Sequence, residues 1–175
     1  MKQSLDNLSN FILKITLPFT AFLVPLFFLP FTLDFFAPNK HLLITAIASL
    51  SLLAWAVKSL LDKQVKISVT PATTFLFLLV IIYFISSFLQ SPNTPQALIG
   101  RTSLITSLFL IYLTTSSTQD KKIIDPTLYS LITSISIASL FTIFQYLEIT
   151  QVTNISWLQS QAFNPLGGPL SLLTA

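Results

Sequence analysis

Long apolar runs without any charge are the feature of this chain that most limits its fold. Five runs contain no Asp, Glu, Lys or Arg, at residues 15–33, 42–57, 71–89, 102–118 and 126–147. A helix rises about 1.5 Å per residue, so about 20 apolar residues cross the hydrocarbon core of a bilayer, which is about 30 Å thick. The pattern therefore predicts an all-α, polytopic helical membrane protein with five transmembrane helices.

The composition excludes several other classes of protein. Charged residues make up 9% of the chain, whereas a soluble domain carries about 25%. The net charge of +3 does not indicate a nucleic-acid partner, because the nine cations are scattered between apolar runs and form no stripe along which phosphates could bind. The chain has no cysteine, and its acidic residues show no metal-ligand spacing. We predict neither a metal site nor a cofactor.

The expected organisation is one membrane domain over residues 1–175. The predicted spans are at about 11–33, 41–61, 71–90, 99–118 and 126–148. Pro18, Pro25 and Pro30 interrupt the first span, and since proline removes a helical hydrogen bond we expect this span to be kinked and to end near Pro30.

The remaining residues predict an interfacial segment followed by an unfinished helix. Residues 149–169 are uncharged and contain Trp157, which is typical of a loop lying at the outer membrane interface. Residues 170–175 begin a sixth span, but six residues rise only about 9 Å. We therefore expect an N-terminal fragment of a larger protein.

The distribution of positive charge predicts the orientation in the membrane. With the N-terminus inside, the two outer cations are Lys40 and Arg101. The seven inner cations are Lys2, Lys14, Lys58, Lys63, Lys66, Lys121 and Lys122. Because cytoplasmic loops carry an excess of Lys and Arg, this bias predicts an N-in topology.

The fifth predicted span is rich in small hydroxylic residues. They are Ser130, Thr133, Ser134, Ser136, Ser139 and Thr142. Such residues let helices approach closely and form hydrogen bonds within or between them. We expect a role in helix packing; a polar path for a solute is the alternative, but the span holds no charge that would favour it.

Several features appear together in an order that is typical of one family. Trp55 lies near the inner end of the second span, and the proline-rich first span leads into it through residues 29–40, LPFTLDFFAPNK. Later motifs are ALIGR at 97–101 and FNPLGGP at 163–169. On these motifs the chain resembles the N-terminal part of the O-antigen ligase and polymerase superfamily of bacterial envelope proteins.

The resemblance implies a glycosyltransferase in the bacterial cytoplasmic membrane. Such an enzyme transfers a glycan from a polyprenyl diphosphate carrier to an acceptor at the outer leaflet, so the implied partners are that carrier-linked glycan and membrane lipids. In the family the catalytic His and Arg lie in an outer loop of the C-terminal half. His41 matches no catalytic position and is interpreted as a residue at a helix start. We assign no catalytic residue and expect the 175-residue chain to be inactive alone.

Arg101 is the candidate binding residue. It follows Gly100 at the outer end of the fourth span, where a guanidinium could bind the two phosphates of a lipid diphosphate through its planar fork of donors. The alternative is an anchor that binds ordinary lipid phosphates at the interface.

Two other functions remain open from the sequence. A fragment of a transporter or permease would also contain kinked helices and spans interrupted by Gly and Pro. A non-catalytic membrane assembly protein is the third interpretation.

Overall fold

The computed structural model describes residues 2–27, 37–117 and 123–146. Six α-helices lie in these ranges: α1 (Lys2–Leu26), α2 (Ala37–Asp62), α3 (Pro71–Leu89), α4 (Thr94–Ala97), α5 (Ser103–Ser116) and α6 (Ile124–Tyr146). A π-helical turn at Leu98–Thr102 joins α4 to α5. Five helical segments are long and apolar enough to cross a membrane, the fourth being Thr94–Ser116. The chain is therefore an all-α, multi-pass membrane protein, as its apolar runs predict.

The observed helices differ from the predicted spans mainly at their ends. α1 begins at Lys2, because the polar residues before residue 11 continue the helix beyond the apolar run. It contains Pro18 and Pro25 and ends at Leu26. The predicted loop 149–169 and sixth span 170–175 lie outside the described residues, as does Pro30.

The start of α3 shows how local sequence determines a helix end. Thr70 has an extended backbone, and its hydroxyl accepts a hydrogen bond from the amide of Thr73 at 3.2 Å. The Thr73 hydroxyl accepts one from the amide of Thr70 at 3.3 Å. Pro71 occupies the first turn, where no helical partner for its missing N–H is needed. This reciprocal cap satisfies two backbone donors that a helix start leaves unpaired.

The chain divides into two compact units. The first unit comprises residues 1–17 and 43–124, and the second comprises residues 18–42 and 125–175. Each is described separately below.

In the first unit, α3 and α5 form an antiparallel hairpin held by three contacts. The hydroxyls of Thr70 and Tyr112 are 3.1 Å apart at one end. Those of Ser87 and Thr102, at the start of α5, are 2.6 Å apart at the other end. Between them, the rings of Phe77 and Phe109 pack with centroids 5.9 Å apart.

The same unit packs α2 against α5 in a parallel direction. Ser107 donates to the Thr45 hydroxyl at 3.4 Å. Further along both helices, Thr114 donates to the Ser51 hydroxyl at 3.2 Å. Along this contact the residue numbers of α2 and α5 increase in the same direction, so these two helices are parallel. Helix α3 is antiparallel to both. This alternation is what consecutive membrane spans require.

Small side chains make the α2 surface suitable for close packing. Ala48, Ser51 and Ala54 repeat every three residues and are all buried. In a lipid environment, helix association depends on close van der Waals contact and interhelical hydrogen bonds, which small residues permit. The α2–α5 contact therefore has the composition expected of a helix interface within a membrane.

In the second unit, the hydroxyls of α6 take part in helix packing. Ser134 is fully buried and donates to the backbone oxygen of Phe22 on α1 at 2.7 Å. Thr133 and Thr142 donate to carbonyls four residues earlier in α6. The predicted bonding within and between helices is confirmed for these three residues. Ser136 and Ser139 are exposed.

The ends of α1 and α2 are also joined in this unit. Lys40 donates from Nζ to the backbone oxygen of Pro25 at 3.3 Å. That carbonyl lies in the last turn of α1, where helical acceptors have no amide partner within the helix. Lys40 therefore satisfies one of the terminal acceptors of α1.

Candidate functional site: a polar groove beside Arg101

A break in helical geometry positions Arg101. The π-helical turn at Leu98–Thr102 contains Gly100, whose ψ of −114° is not helical. The amide of Ser103 still bonds to the carbonyls of Gly100 and Leu98, so the helix resumes immediately. Arg101 projects from this turn and is exposed.

An open groove of about 540 Å³ adjoins this turn in the first unit. Its walls come from the last turns of α3, the short connection at residues 91–93, α4 and the π-helical turn. The polar side chains that line it include those of Tyr83, Ser86, Gln90, Asn93, Gln96 and Arg101. We call this the Arg101 groove.

Two buried hydroxyls fix one side of the Arg101 groove. Ser87 donates its proton to the carbonyl of Tyr83 at 2.8 Å. Since a serine hydroxyl has one proton to donate, Thr102 is the donor in the 2.6 Å bond between Ser87 and Thr102. Both residues are buried. This bond holds the start of α5 against α3 and so fixes the backbone that carries Arg101.

Amide side chains form the rim of the groove and keep donors available. Asn93 donates from Nδ2 to Oε1 of Gln96 at 3.2 Å, and Ser86 donates to Oε1 of Gln90 at 3.4 Å. Each glutamine thus uses its oxygen, while its NH₂ group makes no hydrogen bond within the described part of the chain. The guanidinium of Arg101 likewise makes no hydrogen bond or ion pair to a described residue.

The chemistry of the Arg101 groove suits an anion with polar substituents. Arg101 is the one charged residue among the described residues that line it, and the neighbouring donors are neutral. A guanidinium can bind two oxygens of a phosphate or diphosphate at once. The neutral amides and hydroxyls can bond to further oxygens without adding charge.

The sequence identified Arg101 but not its neighbours. Gln90, Asn93 and Gln96 are spaced three residues apart, and this cluster of amides between two apolar runs could have indicated a polar surface at the connection from α3 to α4. Of the other residues that the sequence places at the outer face, Lys40 and His41 do not line the groove. Lys40 and His41 belong to the second unit, and Asp34 and Glu148 lie outside the described residues.

Positive charge is separated along the first unit. Arg101 precedes the first residue of α5, whereas Lys58 and Lys66 line a cavity together with Ser117, which follows its last residue. A helix of 14 residues is about 21 Å long, so these cations lie at opposite ends of the unit. The geometry agrees with the charge separation on which the predicted N-in orientation depends.

Comparisons of the chain with protein families, with curated proteins and with solved structures find no match.

Proposed function

We propose that this chain is the membrane scaffold of an O-antigen ligase-like glycosyltransferase of the bacterial cytoplasmic membrane. In this proposal, the Arg101 groove binds the diphosphate of a polyprenyl diphosphate-linked glycan at the outer leaflet. The observation that carries it is an exposed guanidinium, without a partner among the described residues, at the edge of a groove lined with neutral donors. The loop motifs that resemble the family support the same assignment.

The depth of Arg101 along its helical segment suits a lipid diphosphate. It lies seven residues after Thr94, the first residue of that segment, or about 10 Å along the axis. In this proposal the guanidinium reaches the outer boundary between headgroups and hydrocarbon, where the diphosphate of a carrier lipid lies and its prenyl chain enters the bilayer. The amides of Gln90 and Gln96 lie on the same groove and could bond to the attached sugar.

The proposal assigns binding, not bond cleavage, to the groove. Transfer needs a group that activates or positions the acceptor, as well as cationic stabilisation of the leaving diphosphate. Among the described residues that line the groove, Arg101 supplies the second function, and none is a carboxylate or an imidazole. In the proposal, the groups that act on the acceptor belong to another part of the protein, as the family resemblance implies.

The helix break argues against a transport site here. Transporters place interrupted helices near the bilayer midplane, where the substrate binds. Gly100 is the seventh residue of a 23-residue helical segment, so the break lies near one end. The permease interpretation therefore has no specific structural support.

Binding of a short prenyl diphosphate tests the proposal directly. The purified chain in non-ionic detergent is titrated with farnesyl diphosphate, farnesyl monophosphate and farnesol. We expect the diphosphate to bind most tightly. Because one charged hydrogen bond contributes about 1.5–3 kcal/mol, Arg101→Ala should weaken its binding at least about ten-fold. Arg101→Lys should also weaken it, since the bidentate fork is lost while the charge remains.

A matched substitution controls for loss of positive charge alone. Lys63→Gln removes one exposed cation at the other end of the unit, and it should leave the affinity for farnesyl diphosphate unchanged. Unchanged binding in Arg101→Ala, or equal binding of farnesol and farnesyl diphosphate, would contradict the proposal and leave Arg101 as an interfacial anchor.

A further inference from the structure

A second cavity lies in the first unit, at the end opposite the Arg101 groove. It has a volume of about 130 Å³ and is lined by Trp55, Lys58, Ser59, Asp62, Lys66 and Ser117, among others. These residues come from the last turns of α2, the connection that follows it, and the end of α5. We call it the Lys58 cavity.

Three charged side chains face the Lys58 cavity, and none makes an ion pair within the described ranges. Lys58 donates from Nζ to Oδ1 of Asn10, a neutral acceptor. Lys66 and Asp62 are exposed and make no hydrogen bond to a described residue. Lys58 and Asp62 are four residues apart on α2, yet they are not paired with each other. Their charges are therefore not neutralised by a described residue.

The helix ends at this cavity change its charge balance. α2 ends at Asp62 and α5 at Ser116, and each helix C-terminus carries the equivalent of about half a negative charge. Together with Asp62, these ends supply about two negative charges against the two lysines. An anion gains little from such a site, and so does a cation. A zwitterion, with one charge near the lysines and the other near Asp62, is favoured.

The connection beside the cavity separates polar from apolar side chains. Residues 64–70 form no regular helix, and their alternate residues differ in character. Gln64 and Lys66 line the cavity, while Val65, Ile67 and Val69 are exposed. In an extended segment, successive side chains point to opposite sides. The connection therefore carries polar side chains at the cavity and exposed apolar side chains at the alternate positions.

We propose that the Lys58 cavity binds the headgroup of a zwitterionic phospholipid that carries both a phosphate and a primary ammonium. Lys58 and Lys66 bind the phosphate oxygens. The ammonium donates to the carboxylate of Asp62 and to the terminal carbonyls of α2 and α5. The exposed valines and isoleucine of residues 65–69 contact the acyl chains. This site uses all three charged residues of the cavity and does not depend on the function of the Arg101 groove.

Fluorescence of Trp55 provides a local readout of this cavity. The chain has two tryptophans, so Trp157→Phe leaves Trp55 as the only indole. In this background, the purified chain in non-ionic detergent is titrated with dihexanoyl phosphatidylethanolamine, phosphatidylcholine, phosphatidylglycerol and inorganic phosphate. We expect a saturable change with phosphatidylethanolamine. Phosphatidylcholine lacks ammonium N–H donors and phosphatidylglycerol lacks the cation, so each should bind about ten-fold more weakly.

Charge substitutions identify the groups that bind. Lys66→Gln and Asp62→Asn should each weaken phosphatidylethanolamine binding about ten-fold, and Asp62→Asn should also abolish its preference over phosphatidylcholine. Lys63→Gln, a loss of charge on the same connection but outside the cavity lining, should leave the affinity unchanged. Because Lys66 is exposed and makes no hydrogen bond in the described part of the chain, its substitution is not expected to unfold the protein.

The competing ligands give distinct results. Equal binding of phosphatidylcholine would overturn the role of the ammonium, and tighter binding of phosphatidylglycerol would indicate an anionic-lipid site. A response to inorganic phosphate at similar concentration would indicate a free-phosphate site. A response to phosphatidylethanolamine that survives both Lys66→Gln and Asp62→Asn would place the lipid elsewhere.

Discussion

The contact between Ser51 on α2 and Thr114 on α5 allows the effects of volume and hydrogen bonding on helix packing to be measured separately. Both side chains are fully buried, and Thr114 donates to Ser51 across the interface at 3.2 Å. Thr114→Val removes the hydroxyl at nearly constant shape. Ser51→Leu instead inserts a large side chain at a fully buried position of the α2–α5 contact.

The hydrogen bond should contribute little. Thr114 also approaches the carbonyls of Leu110 and Ile111 of its own helix, at 2.8 and 3.1 Å. Ser51 donates to the carbonyl of Ala48 at 3.0 Å, and this bond survives the loss of the Thr114 hydroxyl. Interhelical hydrogen bonds in membrane proteins average about 0.6 kcal/mol. We expect Thr114→Val to lower the free energy of unfolding by about this amount.

The volume effect should be larger. Ser51 has no exposed surface, and the adjacent interface residues Ala48 and Ala54 are equally small, so a leucine has no space unless the helices separate. Overpacking of this kind costs about 1–3 kcal/mol, and the separation also lengthens the contacts to α5. We expect Ser51→Leu to destabilise the protein by about 2 kcal/mol or more.

Reversible unfolding in mixed micelles measures both effects. The chain is titrated from a non-ionic detergent into sodium dodecyl sulfate, and helix content is followed by circular dichroism. Ser49→Leu is the matched control, because Ser49 is exposed on the same helix and the same change of residue adds no buried volume. The reasoning is refuted if Thr114→Val costs more than Ser51→Leu, or if Ser49→Leu and Ser51→Leu are equally destabilising.

Three further predictions concern the orientation in the membrane, the cap of α3 and the hydrogen bond between α6 and α1. A cysteine at Ser91 should react with a membrane-impermeant maleimide in intact cells while one at Gln64 should not, and the opposite labelling would overturn the N-in orientation. Thr70→Ala removes the side-chain cap of α3 together with the hydroxyl contact to Tyr112, and should lower the free energy of unfolding by about 1 kcal/mol or more in the micelle titration; no change would contradict a stabilising role of this hydroxyl. Ser134→Ala should cost about 0.6 kcal/mol through its lost bond to α1, whereas Ser136→Ala, at an exposed position of the same helix, should cost nothing. Equal effects of the two substitutions would contradict the packing role of Ser134.

The helices could be predicted from local sequence because the bilayer requires nearly continuous apolar runs. Pro71 is the first residue of both the third predicted span and α3, and Gln90, the last residue of that span, is the C-cap of α3. The start of α1 could not be predicted in this way, since the polar residues from Lys2 onwards continue the helix for reasons of backbone bonding and not of hydropathy. A helix can therefore be longer than the apolar segment that spans the membrane. The sequence predicts the bounds of the spanning segment better than the bounds of the helix.

The packing partners were not predictable for a related reason. Helices that are apolar on all sides give no hydrophobic periodicity that shows which face packs against protein. The pairs Thr45–Ser107 and Ser51–Thr114 join residues 62 and 63 positions apart, and only the register between two helices fixes them. The hydroxyl-rich fifth predicted span indicated helix packing through α6, whereas these two interhelical bonds are made by α5.

The candidate site was predicted in part. A single arginine beside a glycine at the end of an apolar run could be identified from sequence, because such a charge is costly unless it has a partner or a function. The groove could not, because its shape depends on the π-helical turn around Gly100 and on the Ser87–Thr102 bond. Gln90 follows α3, Asn93 precedes α4 and Gln96 lies on α4, so the sharing of one groove by these three amides depends on the connection between the two helices.

The hairpin of α3 and α5 affects how the protein is made. Residues 71–100 contain no charged side chain. In the predicted orientation, the short polar turn at residues 90–93 crosses the membrane without an ion, and Arg101 is the one charge of the hairpin that must be carried through the membrane centre, at a cost of about 2.5–3.5 kcal/mol. The contacts Thr70–Tyr112, Phe77–Phe109 and Ser87–Thr102 join the two helices along their length. We therefore expect α3 and α5 to leave the translocon and enter the lipid together, in one step of biosynthesis. Helix α3 should stay at the translocon until α5 has been synthesised.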